Sequence, residues 1–468
     1  MEGSRAPAGP ARAQAALLDT IVALATPPGV GAVALVRISG PEARAVAGAL
    51  IGGGAGGTMA GWATRTGQLR TLRHPHGGEV LDRALVTLFR GPGSYTGEDV
   101  VEISTHGGHA IPATVVDACV AAGARHARPG EFTQRAYLNG KLDLTQAEAV
   151  ADLVAASSPK ARTVALHQLE RGLGARIAEL RGQVIGLSAL LVQHIDFPEE
   201  DDAPVPLEQI SAEAARVAGQ IGRLLDTAPA GELLREGAVT VLAGRPNSGK
   251  SSLFNALVGT ERAIVTEEAG TTRDAIEAVV SVGGFPFRLV DTAGLRSRAE
   301  RVERLGIEIA HRYLAGADVV LYCREAGAAM GVEESEFVNS LAPPVVLVRT
   351  KWDLAGAGDA PEPGEVAVSA KTGDGLGPLK EWLQGLIFRD VVESRDEVPV
   401  VTRRRQAVLL RDARNEIAAF SEALAAGIPS EVASAHLKSV ESALEEILGV
   451  IAPDEVLDRV FEDFCIGK

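Results

Sequence analysis

The segment Gly244 to Ser251, GRPNSGKS, has the spacing G-x-x-x-x-G-K-[ST] and stands between the apolar run AVTVLA and the helix-like stretch SSLFNALVG. A loop of this kind turns successive backbone N–H groups and a helix N-terminus toward phosphate oxygens. Lys250 would supply a cation to the outer phosphates and Ser251 a hydroxyl to magnesium. Thr271 and Thr272, in EEAGTTRD, could complete the magnesium shell when a third phosphate is present. DTAG, Asp291 to Gly294, follows the strand-like FRLV and would bring a carboxylate to the magnesium water shell and a glycine N–H to the terminal phosphate.

Base choice falls to Lys351 and Asp353 in TKWD, after VVLVR. Asp353 can accept from the guanine N1–H and exocyclic amine, whereas adenine would leave a buried carboxylate unpaired. SAKTG, Ser369 to Gly373, would support the guanine carbonyl. Five elements in this order, each at the end of a strand, predict a guanine-nucleotide site. Its expected contacts are Asn247, Ser248, Gly249, Lys250, Ser251 and Ser252; then Thr266, Glu267, Glu268, Ala269, Gly270, Thr271 and Thr272; then Asp291, Thr292, Ala293 and Gly294; and finally Thr350, Lys351, Asp353, Ser369, Ala370 and Lys371. The usual base-reading motif is NKxD, and here threonine stands at 350. Thr350 keeps a hydroxyl but loses the two-sided geometry of an amide, so weaker guanine affinity is expected, with specificity kept by Asp353.

Hydrolysis needs an oriented water. Ras-like enzymes carry a glutamine directly after DTAG, but Leu295 occupies that place and cannot hydrogen-bond. Glu303 lies farther along, beside Arg301 and Arg304, and read by position alone is an exposed helical carboxylate. Transition-state charge could be met by Arg245 or Arg273, or by a monovalent cation caged by Asn247 and carbonyls of Thr266 to Thr271.

The elements that must hold these residues are read from pattern. A chain of 468 residues accommodates about three domains. A net charge of −15 excludes a uniformly positive surface, so any RNA contact is local or shared with a partner. Cys119, Cys323 and Cys465 show no C-x-x-C spacing, which predicts a reducing compartment, the cytosol, without disulfides or a zinc site. No apolar run reaches the roughly 18 residues of a membrane span, and the first residues lack a signal pattern.

Residues 1–18 read as a frayed leader, and 19–157 as an α+β domain with a flexible loop at IGGGAGG, Ile51 to Gly57. Residues 158–236 read as helical: one long amphipathic helix carries Leu166, Leu169, Leu173, Ile177, Leu180, Val184, Leu187 and Leu191, and a second carries Ile210, Val217, Ile221 and Leu224. Residues 237–389 alternate short strands with helices, a mostly parallel sheet. Residues 390–468 return to helix through Leu409, Ile417, Phe420 and Leu424, then Val440, Leu444 and Ile447. The expected architecture is multidomain: an N-terminal α+β domain, a helical bundle built from two chain segments, and an α/β P-loop domain inserted between them.

Together these segments resemble the MnmE (TrmE) family of tRNA modification GTPases. The likeness rests on DTIVALATPPGVGAVALVRISGP, SYTGEDVVEISTHGG, ARPGEFTQRAYLNGKLDLTQAEAVADLVAASS, LLREG before the phosphate loop, and the terminal FCIGK, from Asp19 to Lys468. The resemblance implies a Ras-like GTPase domain and a homodimer whose N-terminal domains pair and bind a 5-formyltetrahydrofolate-type ligand. The matching folate residues are Arg37, Glu102, Lys141 and Lys468. Read physically, Arg and Lys suit glutamate-tail carboxylates and Glu102 suits a pterin amine, but Arg37 and Glu102 also read as a sheet-edge ion pair. The resemblance assigns Glu303 to the hydrolytic water, against the positional reading, and Asn247, Thr266, Glu268 and Thr271 to potassium; the motifs themselves put Ser251 and Thr272 on magnesium.

Cys465 in FCIGK could act as a nucleophile or carry a one-carbon unit, or be a small residue of the tail. His106 and His109 read as turn histidines. The resemblance further implies a heterotetramer with a flavoprotein of the MnmG (GidA) type, which would hold FAD and use NADH, for this chain has no flavin fingerprint. The pair would install an aminomethyl or carboxymethylaminomethyl group at C5 of the wobble uridine of certain tRNAs. A regulatory or ribosome-assembly GTPase, or a nucleotide-dependent scaffold, are the rival readings.

Overall fold

The computed structural model describes residues 19–52, 59–170, 172–196, 205–260, 276–291, 312–356, 360–389, 400–462 and 464–468. The chain forms two compact units, residues 1–151 with 445–468, and residues 152–444. The last 24 residues therefore group with the N-terminal sheet rather than with the helices that precede them.

The first unit has six strands, β1 (Ile21–Leu24), β2 (Val33–Ser39), β3 (Gly67–Arg73), β4 (Val80–Phe89), β5 (Val100–His106) and β6 (Arg125–His126), of which β2 and β4 alternate buried and more exposed residues. They form one sheet in the order β3-β4-β5-β2-β1-β6, antiparallel except for the β1–β6 pair. Val36, Ile38, Val86, Leu88, Val101 and Ile103 point to one face and bury against Val46 and Leu50 of the helix Ala43–Gly52 and Val115 of the helix Ala110–Ala121. Each such side chain contributes about 1.5–3 kcal/mol by leaving water. β3 sits at the sheet edge, where Leu72 is its one fully buried hydrophobic residue.

The C-terminal helix Asp454–Glu462 packs Leu457, Val460 and Phe461 on Leu144 and Ala147, and Phe464 extends this cluster. Beyond it the chain runs against the end of β1. Gly467 has φ +98°, and a Cβ there would meet the Leu24 carbonyl oxygen at 2.5 Å, so only glycine fits.

In the second unit, one sheet runs β12-β11-β10-β7-β9-β8, with β7 (Ala238–Ala243), β8 (Ile276–Val282), β9 (Phe285–Asp291), β10 (Val319–Glu325), β11 (Val345–Thr350) and β12 (Glu365–Ala367). All pairs are parallel except β8–β9. β10 is buried at every position but its last, and its first five residues, VVLYC, form the continuous apolar run of a central parallel strand. Before and after this sheet in the chain lie the bundle helices Gly172–Asp196, Leu207–Leu225 and Arg404–Ala425, the second of them packed against both others.

Two expectations for the helices are corrected. The single long helix is two, Pro159–Leu169 and Gly172–Asp196. Ser158 caps the first, accepting from the Ala161 amide at 3.1 Å with Pro159 at the first helical position, and the helix ends at Glu170, before Gly172 and Gly174. The buried stripe runs from Leu173 to Leu191, while Leu166 is 41% exposed. In Arg404–Ala425 the buried stripe runs through Leu410, Ala413, Ile417 and Phe420, and Leu409 is only half-buried beside it. IGGGAGG falls mostly outside the described residues.

Candidate functional site: a nucleotide loop and an N-terminal arginine cluster

The phosphate loop leaves β7 at Gly244, where φ is +136° and a Cβ would meet the Cys323 carbonyl oxygen at 2.3 Å. Gly249, with φ +85°, lies against Thr350, whose Cβ would stand 3.0 Å from an added methyl. These two glycines let the loop lie close against Cys323 of β10 and Thr350 of β11. Asn247 takes a left-handed backbone, φ +61°, which asparagine tolerates better than most residues. Lys250 is buried, and its Nζ donates to the carbonyls of Gly244 at 3.0 Å and Arg245 at 2.6 Å, which holds the ammonium over the loop. Ser248 Oγ is buried without a hydrogen-bond partner among the described residues. Ser252 follows on the helix Lys250–Thr260 and lines the neighbouring cavity.

Ser251 Oγ donates to Asp291 Oδ2 at 2.7 Å. A hydroxyl and a buried carboxylate at the loop's exit form the hard oxygen set that magnesium prefers. Thr266, Glu267, Glu268, Ala269, Gly270, Thr271, Thr272, Thr292, Ala293, Gly294 and Glu303 lie outside the described residues.

At the base-reading end, a cavity of about 280 Å³ is lined by Gly249, Ser252, Thr350, Lys351, Asp353, Ala370 and Lys371, among others. Lys351 is left-handed, φ 54°, and pairs with Glu325 at 3.1 Å. Ser369 Oγ donates to Asp353 Oδ1 at 2.7 Å and accepts from the Thr372 amide at 3.2 Å, so the loop after β12 aims the carboxylate. Thr350 Oγ1 stands within hydrogen-bond distance of the carbonyls of Ser248 and Arg324. The structure thus brings Gly249, Ser252, Lys351, Asp353, Ala370 and Lys371 around one recess, with Lys250, Ser251 and Asp291 at the loop beside it.

Arg245, one of the cationic candidates, pairs with Glu334 at 2.9 Å. Sequence reasoning missed this contact, since nothing in the spacing of 245 and 334 announces it.

In the first unit Arg37 and Glu102 face each other across β2 and β5 in register. Arg37 Nε and Nη2 donate to Glu102 Oε1 at 3.0 and 2.8 Å, and Nη1 donates to the Gly467 carbonyl at 3.3 Å. The pair is in the middle of the sheet, which corrects the sheet-edge alternative. The guanidinium lies 5.7 Å from the ring centres of both Tyr95 and Phe132. The Lys468 carbonyl accepts from the Phe132 amide at 3.1 Å, so the tail's last residue joins this cluster through its backbone. Lys141 Nζ donates to Pro92 O at 2.9 Å, on the loop that carries Tyr95. Arg37 occupies only Oε1 of Glu102, so the second carboxylate oxygen can accept from an amine or ring N–H of a planar, charged ligand.

Burial pushes the Cys119 and Cys323 thiols up to about 12, which keeps them protonated at neutral pH, while Cys465 is exposed. His106 Nδ1 lies 2.7 Å from Asp82 Oδ1, and the same aspartate accepts from the His106 and Arg83 amides. Beneath β1, Arg135 is 1% exposed and pairs with Asp19, Glu98 and Glu131, with Arg125 completing the network. Burial alone would raise Glu131, but hydrogen bonds from Arg125, the Arg128 amide and Arg135, with the Arg125 charge, bring it down to about 2.

A mostly parallel sheet with a glycine-hinged phosphate loop after a central strand and an aspartate-bearing recess beside it defines a P-loop GTPase. The domain family described as "MnmE helical domain" matches residues 144–465, and "GTP-binding protein TrmE N-terminus" matches residues 20–141. A tRNA modification GTPase MnmE of Heliobacterium modesticaldum is 40% identical over 467 residues, covering 96% of this chain and 99% of that protein. The protein of the same name from Symbiobacterium thermophilum is 41% identical over 462 residues, covering 96% and 99%. The solved G domain of the T. maritima FeoB iron transporter is 29% identical, covering 32% of this chain and 98% of that one, with a TM-score of 0.25. The chain belongs to the MnmE family of tRNA modification GTPases.

Proposed function

We propose that this chain hydrolyses GTP as part of a tRNA-modifying enzyme that alters C5 of wobble uridine in certain tRNAs. The observation that carries the reading is the convergence of Asp353, Lys351 and Gly249 on one recess beside Lys250, in a chain whose family is defined by tRNA modification. Asp353, aimed by Ser369, accepts from the guanine N1–H and amine. Lys250 and the loop amides meet the phosphates, and Ser251, Asp291 and Thr272 form the magnesium side. Asn247, Thr266, Glu268 and Thr271 hold potassium, which when bound supplies the positive charge that an arginine supplies in other GTPases. Glu303 orients the attacking water.

In the first unit, Arg37, Glu102, Lys141 and Lys468 hold a reduced folate that donates the one-carbon unit. The Arg37–Glu102 pair between Tyr95 and Phe132 supports this, for it offers an ionic and an aromatic face together. Cys465, exposed two residues before Gly467, serves the same chemistry as nucleophile or carrier. The chain works as a cytoplasmic homodimer, partnered by an MnmG-type flavoprotein that holds FAD and takes hydride from NADH. No described helix is long and apolar enough to cross a membrane. The proposed functional segments are 19–157, 158–236, 237–389 and 390–468, the last of them divided, since residues 445–468 group with the N-terminal unit.

Nucleoside mass spectrometry of tRNA from a deletion strain tests this function: loss of the C5-modified wobble uridine, restored by the wild-type gene, is expected. Unchanged tRNA would leave the switch or scaffold readings. Titrating a reduced folate into the full chain separates those rivals further, since a pure switch gives no saturable binding.

A further inference from the structure

Arg245 is the second residue of the phosphate loop, and its side chain and its backbone are engaged in different directions. The side chain reaches Glu334, Nη2 to Oε2 at 2.9 Å. Glu334 sits buried in the first turn of the helix Val332–Ser340. Its Oε2 also accepts from the Gly331 amide at 2.9 Å, and its Oε1 accepts from the Tyr322 hydroxyl at 2.9 Å. Tyr322 is buried on β10, next to β7. One carboxylate is therefore held by donors from the strand beside the loop, from a helix start, and from the loop itself. Gly331 leaves room for this, because a Cβ there would come within 3.1 Å of Arg245 Nη2.

On the other side, the Arg245 carbonyl accepts from Lys250 Nζ at 2.6 Å and from the Ser248 amide at 3.2 Å. Whatever fixes the Arg245 side chain thus fixes the carbonyl that places the phosphate-binding ammonium, and with it the turn that carries Asn247. We infer that Arg245 is a positioning residue, latched to Glu334 and through it to Tyr322, which sets the phosphate loop for nucleotide instead of supplying charge to the transition state. The inference rests on the GTP-hydrolysis reading and adds residues to it: Glu334 and Tyr322 belong to no nucleotide motif.

The test uses the full-length protein and the variants Arg245→Ala, Arg245→Lys, Glu334→Gln and the double variant Arg245→Ala with Glu334→Gln. Affinity for a fluorescent GDP and the steady-state kcat and KM for GTP are measured. The latch predicts that Arg245→Ala and Glu334→Gln each weaken nucleotide affinity and raise KM roughly three- to tenfold. Their kcat stays within about twofold of wild type, since the contact is equally present in ground and transition states. The double variant is no worse than the weaker single, because both remove one interaction. Arg245→Lys keeps part of the affinity.

A transition-state cation gives the opposite pattern: Arg245→Ala lowers kcat on the order of 100-fold with GDP affinity unchanged, and Glu334→Gln does not reproduce it. That result, additive losses in the double variant, or wild-type behaviour of all variants overturns the inference. Arg245 has 64% of its side chain exposed, so its substitutions leave the fold intact and carry the test if Glu334→Gln unfolds. Failure of the wild-type protein to hydrolyse GTP would overturn the functional reading instead, and the GDP affinities would still read the latch.

Discussion

The Thr350 hydroxyl lies 2.6 Å from the Ser248 carbonyl oxygen and 2.9 Å from that of Arg324. It ties the end of β11 to the phosphate loop on one side and to β10 on the other. A hydroxyl has one proton, so it serves one carbonyl at a time. Thr350→Val keeps the shape and removes the donor, leaving buried carbonyls short of a partner. The expected loss is about 1–3 kcal/mol of stability, read by denaturant unfolding, with faster GDP release. A variant as stable as wild type, with unchanged GDP release, would show that the bridge contributes nothing.

In the proposed function Asp353 carries base choice. Asp353→Asn replaces an acceptor with a group that presents N–H donors toward the guanine N1–H and amine, and GTP affinity should fall on the order of 100-fold or more. Xanthosine triphosphate, with a carbonyl where guanine has the amine, should lose far less. Competition binding with both nucleotides checks this, and equal losses for the two bases would refute it.

For the hydrolytic step, Glu303→Ala should retain GDP and GTP binding while turnover drops on the order of 100-fold or more. Wild-type hydrolysis should respond to potassium and not to sodium. Turnover by the variant at the wild-type rate would remove Glu303 from the mechanism.

Gly467→Ala places a methyl 2.5 Å from the Leu24 carbonyl oxygen at a backbone angle alanine rarely adopts. The tail must shift, and Arg37 loses its bond to the Gly467 carbonyl. Calorimetric titration with a reduced folate should show weaker binding, roughly tenfold, while GTP turnover without tRNA is unchanged.

The Glu131 carboxyl, held at about 2 in the folded protein against an ordinary 4.5, contributes stability that is present above pH 4.5 and fades as pH falls toward 2. The thermal midpoint of the first unit should drop across that window. In Glu131→Gln the starting stability is lower and the part of the slope due to this residue disappears; an identical slope would point to other carboxylates.

The nucleotide loop was legible because its chemistry is local: glycines, lysine and serine act within eight consecutive residues, and Asp291, Asp353 and Ser369 each end or follow a β-branched run. Parallel strands were legible for the same reason, being continuous apolar segments. β3, GQLRTLR, was not, because an edge strand with Leu72 as its one fully buried hydrophobic residue carries no alternation to read. The break between Leu169 and Gly172 was hidden by an apolar period that continues across it. The Arg245–Glu334 pair and the Asp19–Arg125–Glu131–Arg135 network join residues far apart in sequence, and charged residues on amphipathic helices look alike whether they meet water or a buried partner.

The bond between Arg37 and the Gly467 carbonyl spans 430 positions. At about 5–20 residues per second of synthesis, the arginine waits about 20–90 s on the ribosome before its distant acceptor exists. A nascent chain therefore carries an unfinished Arg37–Glu102 cluster throughout translation, and premature termination anywhere upstream of Gly467 yields protein that lacks this acceptor.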